Sequence, residues 1–232
     1  MKKKIFKAVG IMSGTSMDGV DLSLIKTDGY DYFEHISDKF YEFSDELFKK
    51  LMFLRKNIKN KEDLKDKSNL VADTEKNFTL FNAQIVKNFL NKEHSSPDLI
   101  GFHGQTIFHS AKNRISKQIG NGKLLSQLTD CTVVNNFREQ DLNNGGQGAP
   151  LTPIFHYLIS KKINEKDKLN YPINIINIGG ITNVTTILDN KEIEKEILAY
   201  DIGPGNCLID EWVRYNSNKK FDKNGELANA GK

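Results

Sequence analysis

Three early stretches rich in apolar residues predict strands, and the second of them shows the apolar–polar period of two. Ile5–Met12 is the first. In the second, Val20–Ile25, the apolar Val20, Leu22 and Leu24 alternate with Asp21 and Ser23, and Tyr32–Phe43 is the third. Between about 45 and 92 the period lengthens. Leu70, Thr74, Phe78, Phe81, Ile85 and Phe89 are spaced by four, four, three, four and four, which lays them along one face of a helix. Pro97–Phe102 and Thr132–Asn135 return to strand. Proline suits a first helical turn, so a helix is expected after Pro150. Ile173–Ile178 and Ile181–Leu188 predict two strands joined by Gly179-Gly180, and a last helix is expected over Asn206–Tyr215. Hairpin, helices, strand, second hairpin and helix together predict an α/β chain without solenoid repeats. The division between halves is placed near 136–150, giving an N-terminal α/β domain over 1–140 and the start of a second over 141–232.

Composition narrows the function classes. The chain of 232 residues carries 33 basic and 30 acidic side chains, a balance that argues against a basic nucleic-acid module. The cations are mostly lysine. Only Arg55, Arg114, Arg138 and Arg214 offer a planar fork for carboxylate or phosphate. The apolar share of 38% is enough to build a core. Cys131 and Cys207 make neither a disulfide framework nor a zinc motif, so a reducing, cytoplasmic setting is expected. Lys7 and the early Ser13-Gly14-Thr15-Ser16 interrupt what could pass for a signal region. The uncharged stretch from Tyr171 to Leu188 contains Pro172, Asn174, Asn177, Gly179, Gly180 and Asn183, which a bilayer core would reject, so no membrane segment is expected.

Candidate chemistry gathers where glycine does. Twelve of the 17 glycines fall in the segments 10–19, 101–104, 145–148, 179–180 and 203–205, which marks sharp turns or close backbone approach to a ligand. Gly10–Asp21 lies between two strands and is neither a Walker loop nor a dinucleotide fingerprint. Its small and hydroxylated residues, with Asp18 and Asp21, suit backbone N–H contacts to phosphate and a carboxylate for hydrated Mg²⁺. A plain hairpin turn at Asp18-Gly19 is the competing reading. His103 and His109, at a strand end, could act as acid, base, ligand or buried network member, and neither receives a role. Arg138 is read as lying in a polar loop before Gly145-Gly146-Gln147-Gly148. There it either binds an anion bidentately or pairs with Asp141. Asn177–Asn183 repeats the strand–glycine–strand plan of the first loop, which suggests two jaws on one polyphosphate. Asp201 ends the apolar stretch Ile197–Tyr200 before Gly203-Pro204-Gly205 and is the candidate general base.

In order, these segments resemble the 1,6-anhydro-N-acetylmuramic acid kinases. The family patterns GxMSGTSxDGxD, HGQT, FRxxD followed by GGQGAPLxPxFH, NIGGIxN and DTGPGN stand here as Gly10–Asp21, His103–Thr106, Phe137–His156, Asn177–Asn183 and Asp201–Asn206. Ile202 replaces the family's usual Thr, which removes a hydroxyl beside Asp201, and Asn136 replaces the usual Asp. The resemblance implies an actin/hexokinase-like ATPase fold of two α/β domains. It also implies a kinase that opens the anhydro sugar with water and phosphorylates O6 in cell-wall sugar recycling. ATP would contact Gly14, Thr15, Ser16, Met17, Asp18, Gly19, Val20, Asp21, Gly179 and Gly180, with Mg²⁺ as counter-ion. The amino sugar would contact Ser13, Arg138, Gln147 and Gly148, and Asp201 would be the base. The partners implied are ATP and the amino sugar, in a homodimer.

Family members usually continue well beyond the last of these motifs. The second domain is therefore expected to be incomplete here, and the chain alone is expected to be a poor enzyme. Two alternatives stay open: another sugar or carboxylate kinase of the same ATPase superfamily, and a non-catalytic remnant that binds sugar or a partner protein.

Overall fold

The computed structural model describes residues 4–188 and 197–231, so part of the lysine-rich start and Lys232 lie outside the described residues. The chain divides into two compact units, Met1–Ala149 and Pro150–Lys232.

The first unit opens with strands β1 (Phe6–Met12), β2 (Gly19–Thr27) and β3 (Phe33–Glu42). Helices α1 (Asp45–Asn57), α2 (Lys61–Asp66) and α3 (Ser68–Lys92) follow. Strand β4 (Leu99–Phe102) leads to the hairpin β5 (Gln105–Ser110) and β6 (Ile115–Ile119). Helix α4 (Gly122–Thr129), strand β7 (Thr132–Asn135) and helix α5 (Phe137–Asn143) complete the unit. The main sheet is mixed, in the order β3-β2-β1-β4-β7, with β1–β2–β3 antiparallel and β4 and β7 parallel to β1.

Its core follows from the two periods in the sequence. Val20, Leu22 and Leu24 are buried on β2 while Asp21 is exposed. They cluster with Leu47, Leu51 and Leu54 of α1 and with Phe78, Ile85 and Phe89 of α3. Ser44 caps α1 by accepting from the Leu47 N–H at 3.3 Å, as a serine ahead of an apolar run should. The helical stretch 45–92 divides into three helices, with Asn60 capping the short second one by accepting from the Asp63 N–H at 2.9 Å.

The β5–β6 hairpin, α4 and α5 were not expected from the pattern. On β5 the buried face carries Gln105 beside Ile107, so a polar residue breaks the apolar period. Arg138 lies within α5, not in a polar loop. That helix has only Phe137 and Leu142 as apolar residues, too few to mark a helical face.

The second unit contains α6 (Pro153–Asp167), β8 (Ile173–Ile178), β9 (Ile181–Ile187), β10 (Ile197–Pro204), α7 (Cys207–Asn216) and the short α8 (Glu226–Ala230). The strands form an antiparallel sheet in the order β10-β9-β8. Helix α6 packs on β9 and β10, where a His156 ring nitrogen lies 2.7 Å from the Thr185 hydroxyl. Pairing in register puts Ile176, Val184 and Tyr200 on the face opposite Thr185, and there Ile176 and Tyr200 are exposed. Strand β10 extends through Asp201 to Pro204, so Asp201 and the residues after it that were read as a turn lie inside a strand.

Candidate functional site

Strand β1 delivers the chain into the loop before β2, and one buried side chain fixes both ends of that loop. Ser13 is buried, with its hydroxyl 2.9 Å from the Gly19 carbonyl and 2.5 Å from the Gln105 Oε1, so its single proton serves these two acceptors. The Gln105 Nε2 donates back to the Gly14 carbonyl at 3.0 Å. Gln105 is fully buried on β5 and acts as a polar strut beneath the loop. Above it, the N–H groups of Gly14, Thr15 and Ser16 have no acceptor among the described residues. The Arg55 guanidinium, reaching over from α1, donates to the Thr15 carbonyl. Successive amides held in this way form a concavity suited to anionic oxygens.

Not every predicted contact has a side chain to offer. Met17 has left-handed backbone (φ 58°) and Val20 begins the alternation of β2, and both side chains are buried in the core. They can present only backbone to a ligand. The Ser16 hydroxyl donates to the Asp18 carboxylate at 2.7 Å. Partial desolvation of the Asp21 carboxyl, and then the charges of Asp18 and Asp38, raise its pKa above the ordinary carboxylate value. Among the described residues no three His, Cys, Asp or Glu side chains converge to hold a metal ion on protein ligands alone. Magnesium that keeps water and phosphate oxygens in its shell needs only one or two carboxylates, and Asp18 and Asp21 fit that requirement.

The second feature of this unit is a histidine–arginine pair. The His103 backbone N–H lies 3.4 Å from the Ile11 carbonyl of β1, and one ring nitrogen, Nδ1, lies 2.7 Å from the Gly104 carbonyl. The Arg138 Nε donates to the other, Nε2, at 2.9 Å. Arg138 is half-buried and forms no ion pair with a carboxylate among the described residues. The expected alternative, pairing with Asp141, is not what forms. Asp141 instead accepts the Gly148 N–H at 2.7 Å, closing the glycine run onto α5. Gly148 is buried, whereas Gln147 is exposed.

Burial lowers the proton affinity of His103, His109 and His156 below the ordinary imidazole value, with the Arg138 charge as the next cause for the first two. The unfolded chain therefore binds more protons than the folded one as pH falls through about 6.5, and folding stability declines below that pH. Melting temperature should fall between pH 7 and 5.5, with a shallower slope in His103→Gln and His156→Gln. A slope unchanged in both variants would contradict this origin.

In the second unit the Gly179-Gly180 turn and the segment after Asp201 are joined. The Gly180 carbonyl accepts from the Gly205 N–H at 3.0 Å and from the Cys207 N–H at 3.3 Å, and the Gly179 carbonyl accepts from the Asn206 N–H at 2.7 Å. With both carbonyls engaged, the amides of Gly179 and Gly180 have no acceptor among the described residues. A Cβ on Gly205 would stand 2.2 Å from the Gly179 carbonyl oxygen, so this approach requires glycine. Asp201 is exposed, lies opposite Asn183 and sits at a bulge before Gly203.

The structure therefore brings Ser13–Gly19, His103–Thr106 and Arg138–Gly148 together in one unit, and Gly179-Gly180 with Asp201–Asn206 in the other. Sequence reasoning had given no role to Gln105, Arg55 or His103. The scarcity of arginine and the buried glutamine within His103–Thr106 were the available signals.

The family model for anhydro-N-acetylmuramic acid kinase matches residues 6–232. The anhydro-N-acetylmuramic acid kinase of Pelagibacter ubique is 47% identical over 230 residues, covering 99% of this chain and 60% of its own length. That of Brucella canis is 37% identical over 228 residues, covering 97% of this chain and 60% of its own. That of Methylobacterium nodulans is 37% identical over 242 residues, covering 97% and 62%. The chain thus spans about 60% of the length of such curated relatives.

Proposed function

The chain belongs to the anhydro-N-acetylmuramic acid kinase family, and on that premise we propose that it contributes the phosphate loops, sugar anchor and general base of such a kinase. The reaction is ATP-dependent. Water adds at C1 of 1,6-anhydro-N-acetylmuramic acid, the bridge to O6 breaks, and O6 takes the γ-phosphoryl group to give N-acetylmuramic acid 6-phosphate and ADP. In this reading the two units belong to an actin/hexokinase-like ATPase fold acting in the cytoplasm, in a homodimer, on cell-wall sugar. No described helix is long and apolar enough to cross a membrane.

Phosphoryl transfer asks little covalent chemistry of a protein and much positioning. Gly14–Gly19 and Gly179-Gly180 supply backbone donors for the phosphates, and Asp18 and Asp21 would hold Mg²⁺, which would supply charge neutralisation for the transferring group. Ser13, Arg138 and Gly148, with Gln147 at the exposed rim, hold the sugar. Asp201 takes a proton from water as it attacks C1. The observation that carries the reading is the run of acceptor-free amides at Gly14, Thr15 and Ser16, held from below by Gln105.

The test is a reaction in H₂¹⁸O with ATP and the anhydro sugar, using a protein of the relatives' full length. A 6-phosphate carrying ¹⁸O at C1 is expected. Phosphorylation of N-acetylglucosamine with equal efficiency would overturn the substrate assignment, and no transfer to any sugar would overturn the kinase assignment.

The loop itself gives a sharper expectation. A Cβ at Gly14 meets only the Ser16 hydroxyl, at 3.6 Å, so Gly14→Val should fold. Its branched side chain covers amides whose hydrogen bonds to charged oxygen are worth about 1.5–3 kcal/mol each. Gly14→Val and Thr15→Val should raise KM for ATP more than KM for sugar. Equal KM values for ATP in both variants and the parent would remove the loop from the nucleotide site.

A further inference from the structure

The contacts of His103 determine where its proton lies. A carbonyl oxygen can only accept, so the Nδ1 that lies 2.7 Å from the Gly104 oxygen carries the hydrogen. An arginine Nε can only donate, so the Nε2 that lies 2.9 Å from it presents its lone pair. Both contacts are met by one species, the neutral Nδ1–H tautomer. The imidazolium form would turn Nε2 into a second donor aimed at a guanidinium.

The arginine is constrained in turn. With Nε occupied by the ring, its two terminal nitrogens have no protein partner among the described residues and form the bidentate edge of the fork. A half-buried guanidinium without a carboxylate partner is costly to maintain, and an anionic ligand would compensate it. Among the described residues no acidic side chain forms an ion pair with it, although Glu139 is its exposed neighbour on α5. Arg138 and Asp141 lie on α5, where Asp141 is engaged by Gly148. His109 lies on β5, with its Nδ1 3.0 Å from the Ser116 hydroxyl of β6.

We propose that His103 is a positioning residue, held as its Nδ1–H tautomer by the Gly104 carbonyl, that turns the free edge of Arg138 toward the carboxylate of an N-acetylmuramic acid-type sugar. This rests on the reading of Arg138 as the sugar's anion contact. The burial that depresses His103's proton affinity keeps the ring neutral at physiological pH.

Two measurements on the chain as it stands test the inference. The first is ¹⁵N NMR of the imidazole nitrogens at pH 7.5, which needs no variant. A protonated Nδ1 with an unprotonated Nε2 is expected, and an Nε2–H tautomer or an imidazolium would overturn the proposal. The second is calorimetry with N-acetylmuramic acid and N-acetylglucosamine, which differ by the O3 lactyl group that carries the carboxylate. His103→Asn keeps a donor near Nδ1 but loses the acceptor for Arg138. His103→Gln places an amide oxygen where Nε2 stood. Loss of one hydrogen bond to a charged group predicts that His103→Asn binds N-acetylmuramic acid about tenfold more weakly, with His103→Gln within about threefold of the parent. Binding of N-acetylglucosamine should not change.

The failures separate. If the parent protein does not prefer the carboxylated sugar, the reading of Arg138 falls and the proposal with it. If that preference is present and is lost in Arg138→Ala but intact in His103→Asn, Arg138 stands and the role of His103 is overturned.

Discussion

Arg138→Ala should weaken binding of the carboxylated sugar by about 2–5 kcal/mol, the usual cost of removing one partner from a hydrogen-bonded, desolvated charge pair. The side chain is half-buried, its Nε is committed to His103, and no carboxylate of the described residues takes its charge. Arg138→Lys should recover only part of the loss. A lysine ammonium is a compact point charge and cannot donate to His103 and to both oxygens of a carboxylate in one plane. Folding should respond in the other direction, because removal relieves an uncompensated, partly desolvated charge. Melting temperature should hold or rise in Arg138→Ala while sugar affinity falls. A lower melting temperature with unchanged affinity would make Arg138 a structural residue.

This pairing also shows what the amino-acid pattern could and could not convey. Strand β2 and the buried face of α3 were legible because each repeats apolar residues at a fixed period against the core of the first unit, whereas β1, β8 and β9 were legible as short apolar runs bounded by glycine. Helix α5 was not. A seven-residue helix with two apolar side chains has no periodic face, so Arg138 read as a loop residue. Strand β10 was hidden differently: its apolar residues run on into Gly203-Pro204, residues that usually punctuate strands, so the apolar stretch read as ending at Asp201.

The site was legible as segments but not as contacts. Glycine clusters pointed to the loops because close approach restricts side-chain size, as Gly205 against Gly179 illustrates. The polar strut could not be read in the same way. The hydrogen bonds of Gln105 to Ser13 and Gly14 span about ninety residues of chain, and nothing local in the sequence encodes that juxtaposition. For Met17 and Val20 the motif named the right segment, but the local geometry turns both side chains into the core.

Asp201→Asn is the substitution expected to cost most in rate. The amide keeps the shape of the carboxylate and its place opposite Asn183 on β10, so folding and ground-state binding of sugar and ATP should persist. What is lost is the acceptor for the proton of attacking water, and removal of a general base typically costs about 10²–10⁴-fold. The upper part of that range is expected, because water at neutral pH is a poor nucleophile toward C1 until it is deprotonated. Asp141 is the rival carboxylate, and its geometry argues against it. One oxygen is already held by the Gly148 N–H at 2.7 Å, whereas Asp201 is exposed on its strand. Asp141→Asn should therefore loosen the Gly145–Gly148 turn and weaken sugar binding, with a smaller effect on kcat. Ile202 adds a third arm. It is exposed beside Asp201, so Ile202→Thr introduces a hydroxyl without disturbing the core, and it should raise kcat if a neighbouring donor steadies the carboxylate. The decisive comparison is single-turnover chemistry at saturating ATP and sugar on a protein of the relatives' full length. Asp201→Asn within a few-fold of the parent, alongside an inactive Asp141→Asn, would move the base to Asp141.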